Sequence, residues 1–148
     1  MLNNINIMRM TSEHINDVMI VEHLSFKIPW SKNAFAEEVT KNKFARYFVA
    51  GVNGKIIGYA GMWKIFDEGH ITNIAVHPEF RGAGVGSLLL EALLSAADDE
   101  GILSITLEVR KSNIIAQSLY GKYGFVTEGI RKGYYSDTGE DAVIMWKR

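Results

Sequence analysis

The chain has 148 residues, of which 47% are apolar and 22% are charged, and its formal net charge at pH 7 is −1. This length is close to the commonest size of one domain, so we expect a single domain over residues 1–148. The near-neutral charge lacks the basic excess of a general nucleic-acid binder. The absence of cysteine excludes disulfides, zinc–thiolate sites and a cysteine nucleophile.

The first half of the chain predicts one strand, two helices and an antiparallel meander. A short strand is expected over residues 5–10, and Thr11 or Ser12 can cap the first helix. Pro29-Trp30-Ser31 interrupts the chain before a second helix, which is expected to run to about residue 40. Strands are predicted over 44–52, 55–66 and 68–76. The first two are joined by Asn53-Gly54, which is the strongest short hairpin signal.

The second half predicts two helices between further strands. A leucine-rich helix is expected over 84–100 with Gly101 at its end, and Asn113 can cap a last helix that Gly124 ends. Between them, residues 102–109 read as a strand. Its apolar side would carry Leu103, Ile105, Leu107 and Val109, and its other side Ser104, Thr106 and Glu108. Two closing strands, 125–135 and 141–146, complete the order β-α-α-β-β-β-α-β-α-β-β. The fold class is therefore α/β, with a mixed, largely antiparallel sheet flanked by helices.

A glycine-rich turn, Arg81-Gly82-Ala83-Gly84-Val85-Gly86, follows a predicted strand and opens a predicted helix. Glycines let the backbone approach a ligand closely, and a helix N-terminus favours anions, so the turn suits a phosphate or pyrophosphate. Two nucleotide motifs fit poorly, because the Gly-Lys-Ser/Thr of a P-loop and the third glycine of a dinucleotide fingerprint are both missing. A glycine-rich turn that merely starts a helix is the remaining alternative.

The pattern Arg81-x-x-Gly84-x-Gly86, after Ile74-Ala75-Val76-His77-Pro78 and before a leucine-rich helix, resembles the acetyl-CoA-binding motif of the GNAT N-acetyltransferases. Further segments are similar to the ribosomal-protein-alanine N-acetyltransferases of the RimI type. These segments are Leu107-Glu108-Val109-Arg110-x-Ser112-Asn113, Leu119-Tyr120, Gly124-Phe125, Arg131-x-Gly133-Tyr134-Tyr135 with Glu140-Asp141-Ala142, and Phe26-x-x-Pro29-Trp30-Ser31. The resemblance covers nearly the whole chain and implies a GNAT-like fold.

The resemblance also implies where acetyl-CoA, the co-substrate, binds. Its pyrophosphate would lie on the turn, and its pantetheine arm would lie along the preceding strand, with a main-chain N–H near Val76 polarising the thioester. Asn113 matches a position that contacts the cofactor, although by itself it is most simply a helix cap. The implied cofactor-binding residues are Ile74, Ala75, Val76, Arg81, Gly82, Ala83, Gly84, Val85, Gly86, Ser87 and Asn113.

Two residues match the catalytic positions of the family, with Glu108 as the base and Tyr120 as the general acid. An α-ammonium group has a pKa of about 7.7–8, so only roughly 10–15% is neutral at pH 7 and a carboxylate base is useful. Without the family, Glu108 would be a surface glutamate and Tyr120 a core aromatic. Trp30, Tyr134 and Tyr135 are expected to line a peptide groove, although packing is an equal alternative for them.

The resulting hypothesis is direct transfer of acetyl from acetyl-CoA to a protein N-terminus, most simply the N-terminal alanine of a small-subunit ribosomal protein. The alternatives are a GNAT enzyme acting on a small amine or a lysine side chain, and a non-catalytic acetyl-CoA-binding module. We expect a cytoplasmic protein that is a monomer or weak dimer. No metal site is expected, because the four histidines are not spaced as metal ligands; they are His14, His23, His70 and His77. No direct contact with nucleic acid or a membrane is expected.

Overall fold

One continuous sheet of seven strands organises the computed structural model, which describes residues 4–148. The strand order across the sheet is β1-β2-β3-β4-β5-β7-β6. Every neighbouring pair is antiparallel except β4 and β5, which run parallel, so the predicted mixed sheet is confirmed. The strands are β1 (Asn6–Arg9), β2 (Ala45–Val52), β3 (Lys55–Ile65), β4 (Glu68–Val76), β5 (Ser104–Arg110), β6 (Val126–Tyr135) and β7 (Glu140–Lys147).

Four α-helices connect these strands in the predicted order, namely α1 (Ile15–Ser25), α2 (Lys32–Thr40), α3 (Val85–Asp99) and α4 (Ile114–Lys122). Two predicted caps are confirmed. The Ser31 hydroxyl accepts the Ala34 N–H of α2 at 3.1 Å, and the Asn113 side chain accepts the Ala116 N–H of α4 at 3.1 Å. Each bond satisfies a helix N–H that has no partner inside the helix. Within residues 4–148, no helix is long and apolar enough to cross a membrane.

Apolar side chains cover both faces of the sheet, so each face is closed by a different pair of helices. On one face, α3 packs its leucines against the strands, with Leu89, Leu90 and Leu93 fully buried. On the other face, Val18 of α1 and Phe35 of α2 are fully buried against residues of β2, β3 and β4. Burial of this apolar surface is the main term that stabilises the fold.

An ion pair holds the end of α3 against the sheet. Arg46 on β2 donates from Nε and Nη2 to the two carboxylate oxygens of Glu100, at 2.8 and 2.7 Å. This two-bonded geometry is the strongest form of an Arg–carboxylate contact. Through the hydrogen bond, Arg46 lowers the pKa of Glu100 below its ordinary value.

The prediction for Leu103 was wrong. Its side chain is 73% exposed and it precedes β5, whereas Ile105, Leu107 and Val109 are buried as expected. After the turn at Gly101 the chain enters the core through Ile102 instead. The Leu103 N–H then donates to the carbonyl of Asp67 outside the strand, at 2.7 Å, so its side chain lies outside the alternation of β5.

Candidate active site

A cleft opens inside the sheet where β4 and β5 separate. The two strands are paired only over their first residues, with Glu68 opposite Ser104 and His70 opposite Thr106. Beyond this point β4 continues to Val76 beside β3, and β5 continues to Arg110 beside β7. The carboxyl-terminal halves of both strands therefore line a gap between neighbours of one sheet.

Backbone groups of β4 point into this cleft. His77 donates its N–H to the carbonyl of Ile57 at 2.7 Å, which defines a hydrogen-bonded pair at that position. Hydrogen-bonded and non-bonded pairs alternate along antiparallel strands. In the register of β3 and β4, the N–H groups of Ile74 and Val76 therefore face β5, while Ala75 bonds toward β3. β4, the strand expected to lie along the pantetheine arm, therefore offers two N–H donors to a ligand in the cleft.

The glycine turn lies at the end of β4 and leads directly into α3. Gly82 and Gly84 have φ values of +80° and +84°, a region that disfavours side chains, and open space lies where a Cβ would be on each. Gly84 is the N-cap residue of α3, and its carbonyl accepts the N–H of Leu88 at 3.2 Å. The N–H groups of residues 85–87 have no acceptor inside the helix.

Arg81 places a positive charge beside the same turn. Its Nε donates to the carbonyl of Val76 at 3.0 Å, which holds the side chain across the end of β4. An exposed guanidinium, the free N–H groups of a helix start and a backbone without side chains form a site for a phosphate-type anion.

Glu108 lies on the sheet face away from α3, and its side chain is only 9% exposed. Its Oε1 accepts a hydrogen bond from the Tyr134 hydroxyl at 3.1 Å and lies 3.2 Å from Nε2 of His70. The hydrogen bond from His70 lowers the pKa of Glu108 against the opposing effect of burial, and Tyr134 and Arg131 act in the same direction. Glu108 is therefore a carboxylate at neutral pH. Its Oε2 has no hydrogen-bond partner within the described chain.

The turn between β6 and β7 is fastened next to this carboxylate by Arg110. Its guanidinium donates to Asp137 at 2.7 Å and lies 4.1 Å from the centre of the Tyr135 ring. Tyr135 in turn contacts Tyr134 edge to face, with ring centres 5.1 Å apart. Tyr134, which is 45% exposed, is thus held beside Glu108 by a supported hairpin.

Tyr120 is buried on α4 and contacts Phe125 edge to face, with ring centres 5.7 Å apart. Burial raises its pKa well above the ordinary phenol value, and Tyr135 contributes in the same direction. Tyr120 therefore keeps its proton at neutral pH. The preceding residue, Leu119, comes within 3.5 Å of the position that a Cβ on Gly86 would take, so α4 lies against the start of α3.

Trp30 lies between α1 and α2, beside a cavity of about 540 Å³. Its ring packs on Phe35 with centres 5.3 Å apart, and Trp63 also lines this cavity. The Trp63 ring also contacts His70, with ring centres 6.4 Å apart. A continuous line of side chains therefore connects the cavity at Trp30 with the Glu108 carboxylate.

A sequence model of the acetyltransferase (GNAT) family matches residues 15–125 of this chain. The chain belongs to the GNAT acetyltransferases. The match spans β4, the glycine turn, β5 and α4, which are the elements that form the cleft.

Relatives of known name resemble this acetyltransferase over most of their length. A Bacillus subtilis protein with the provisional name ribosomal protein bS18-alanine N-acetyltransferase is 43% identical over 93% of this chain and 91% of that protein. The Escherichia coli K12 ribosomal protein bS18-alanine N-acetyltransferase is 38% identical over 84% of each chain. The crystal structure of the Escherichia coli enzyme has a TM-score of 0.88 at 32% identity and covers 97% of this chain and 92% of its own. Ard1 from Thermoplasma volcanium has the same TM-score at 30% identity, covering 98% and 97%.

The protein is thus an acetyl-CoA-dependent N-acetyltransferase. Solved structures of the same fold hold coenzyme A or acetyl-CoA. The turn of this chain fits such a ligand, because it combines unbonded N–H groups, open space at two glycines and the charge of Arg81. Within residues 4–148 no group of three histidine, aspartate or glutamate residues is arranged to hold a metal.

Sequence reasoning missed the role of His70 beside Glu108. His14 and His77 serve local turns, accepting the N–H groups of Thr11 and Glu79, but His70 contacts the carboxylate across two strands. The alternation within each strand is visible in the sequence. The pairing of β4 with β5 joins residues far apart in the chain, and without it nothing brings His70 to Glu108.

Proposed function

We propose that this acetyltransferase modifies the α-amino group of a protein N-terminus, specifically the N-terminal alanine of a small-subunit ribosomal protein. The names of its relatives support bS18 as that protein. The observation that carries the proposal is the Glu108 carboxylate beside the cleft, with one oxygen held by two donors and the other free to accept a proton.

In the proposed arrangement, acetyl-CoA lies along β4 and across the glycine turn. Residues 81–87 and the start of α3 bind the pyrophosphate, as helix starts do for phosphates generally. The cleft-facing N–H groups of Ile74 and Val76 bind the arm, and the N–H at Val76 polarises the thioester carbonyl where negative charge develops. Asn113, which caps α4 after the end of β5, contacts the ligand from that side in this arrangement.

Glu108 acts as the base in this proposal. Most of an α-amino group near pH 7 is ammonium, so its proton must be removed before the nitrogen can attack. Glu108 takes that proton through its free oxygen, directly or through one water. The C–N bond then forms and the C–S bond breaks. The lowered pKa keeps Glu108 ionised at neutral pH. It passes the first proton on to solvent before attack, and it can then take the second N–H proton, which becomes strongly acidic once the C–N bond has formed.

Tyr120 acts at the leaving group. A phenol and a thiol have ordinary pKa values of roughly 10 and 8.5, so protonation of the thiolate by an unperturbed tyrosine is only mildly unfavourable. Burial raises the pKa of Tyr120 further and widens this gap. The role that fits a permanently protonated phenol is hydrogen-bond donation to the sulfur while the C–S bond breaks. Water can then supply the final proton.

Intact-mass measurement on pairs of short peptides tests the proposal. One member of each pair begins with free alanine, and the other is blocked at its N-terminus but carries a lysine. We expect one acetyl group on the free peptide only. Glu108→Gln should lower kcat, most strongly at neutral and lower pH, and leave the KM for acetyl-CoA unchanged. Glu13→Gln, an exposed glutamate before α1, is the control. Acetylation of the blocked peptide alone would refute the proposed acceptor.

A further inference from the structure

A buried glutamate, Glu22, takes no part in the chemistry above. It lies in the last two turns of α1 and is 1% exposed. One carboxylate oxygen accepts the backbone N–H of Trp30 at 2.8 Å, and the other accepts the hydroxyl of Tyr59. Both donors are neutral. Taking a carboxylate out of water costs free energy that two neutral donors offset only in part, so a purely structural need would be met more simply by an apolar residue.

Both ends of the segment between α1 and α2 are bonded to this one residue. The carbonyl of Glu22 accepts the N–H of Phe26 at 3.0 Å, and its side chain accepts that of Trp30. Between these two points Lys27 and Ile28 are exposed. The Glu22 carboxylate is therefore the hydrogen-bond partner that fixes the Trp30 end of the segment.

The second partner of Glu22 leads to the cleft. Tyr59 is fully buried on β3 and lies directly opposite Ala75 of β4, between the two residues whose N–H groups face the cleft. Burial raises the pKa of the Tyr59 phenol, and Glu22 and Tyr47 act in the same direction, so Tyr59 remains a donor. One carboxylate thus joins the segment that carries Trp30 to the strand that faces acetyl-CoA.

We infer that Glu22 is a positioning residue for the acceptor. It holds Trp30 at a fixed place relative to the cleft, so that the binding surface for the incoming N-terminus is already formed before the acceptor binds. The inference rests on the proposed function and on the expectation, drawn from the family resemblance, that Trp30 lines the groove for the acceptor. Removing the carboxylate leaves the cleft, the glycine turn and Glu108 in place. Acceptor binding weakens, whereas acetyl-CoA binding and the chemical step are retained.

The test compares Glu22→Leu, Glu22→Gln and Tyr59→Phe in steady-state kinetics with an alanine-starting peptide. Gln can accept the Trp30 N–H with its oxygen and donate its amide to the Tyr59 hydroxyl. For Glu22→Leu we expect an acceptor KM about tenfold higher, the loss of one hydrogen bond to a charged group. Its kcat and its KM for acetyl-CoA should change by less than about threefold, since neither depends on Trp30. Glu22→Gln should restore most of the acceptor KM, and Tyr59→Phe should raise it only slightly.

Limited digestion with trypsin gives a second readout that needs no turnover. The Lys27–Ile28 bond lies in the segment that Glu22 fastens, so Glu22→Leu should be cut there faster than the wild type, and Glu13→Leu should not. Unchanged acceptor KM and unchanged cleavage in Glu22→Leu would overturn the inference. So would an equal rise in both KM values, or failure of Glu22→Gln to restore binding. If the wild type acetylates no free N-terminus, the proposed function itself has failed.

Discussion

Gly61→Ala would place a methyl group in steric overlap with the ring of a buried tyrosine. Gly61 lies on β3 directly opposite Tyr47 of β2. A Cβ at this glycine would lie 2.2, 2.5 and 2.7 Å from three atoms of the Tyr47 ring. Carbon atoms pack at about 3.5–4 Å, so the ring must move by more than about 1 Å. Its hydroxyl is bonded to Glu38 of α2 at 3.0 Å and lies 3.2 Å from that of Thr72 on β4, so the movement breaks both contacts.

The cost has two parts. Overpacking of a core costs about 1–3 kcal/mol, and each lost hydrogen bond adds about 1 kcal/mol. We expect Gly61→Ala to lower the free energy of unfolding by about 3–5 kcal/mol in urea denaturation. At about 2–4 °C per kcal/mol for a chain of this size, Tm falls by roughly 6–20 °C. Gly121→Ala is the matched control, since a Cβ there meets open space on α4 and alanine favours a helix by up to about 1 kcal/mol.

A double-mutant cycle isolates the clash from other effects of the added methyl group. In a Tyr47→Ala background the ring atoms that Gly61→Ala would meet are gone, so the second substitution should cost less than about 1 kcal/mol. A loss below about 1 kcal/mol in the wild-type background, or equal losses in the two backgrounds, would refute the steric reasoning.

Three further outcomes follow from the site and the sheet. Gly84→Ala and Gly101→Ala both force alanine into positive φ with open space around the methyl, so both should lower the free energy of unfolding by about 1–2 kcal/mol. Only Gly84→Ala should raise the KM for acetyl-CoA, because only Gly84 lies in the glycine turn. His70→Phe removes the main hydrogen bond that lowers the pKa of Glu108, so the acid limb of the kcat/KM profile should move to higher pH with the same peptide. Glu100 has a pKa below its ordinary value of 4.5, so its ion pair stabilises the protein fully above that value and loses this effect as pH falls through the folded-state pKa. Urea titrations of Glu100→Gln should therefore show a loss of about 0.5–1 kcal/mol at pH 7 that shrinks below pH 4.5 and disappears once Glu100 is protonated in the folded state.

Local signals in the sequence were enough for the element order and the glycine turn. Gly82 and Gly84 need positive φ, and Ser31 and Asn113 start helices, because these properties belong to one residue and its near neighbours. The parting of β4 from β5 depends on which strands become neighbours in the sheet. That is decided by contacts between residues far apart in the sequence.

The same distinction separates the two kinds of site residue. Glu108 was recognised through a motif, whereas its partners His70 and Tyr134 reach it from 38 and 26 residues away. Glu22 carries no motif at all, and its importance is visible only from the two donors that it holds together. Leu103 shows the opposite error, because the alternation predicted for β5 includes a residue that precedes the strand.

The parting of β4 and β5 leaves two strand edges inside this sheet, which strands paired along their whole length would not have. With acetyl-CoA placed as proposed, a row of amides from the ligand occupies the position of a missing strand. Binding to the folded chain alone adds RT ln(1 + [L]/Kd) to its stability, about 2.7 kcal/mol at one hundred times Kd. The enzyme would then be most resistant to unfolding and proteolysis when its own acetyl donor is abundant. Hydrogen exchange at Ile74 and Val76 would report how far the sheet has been completed.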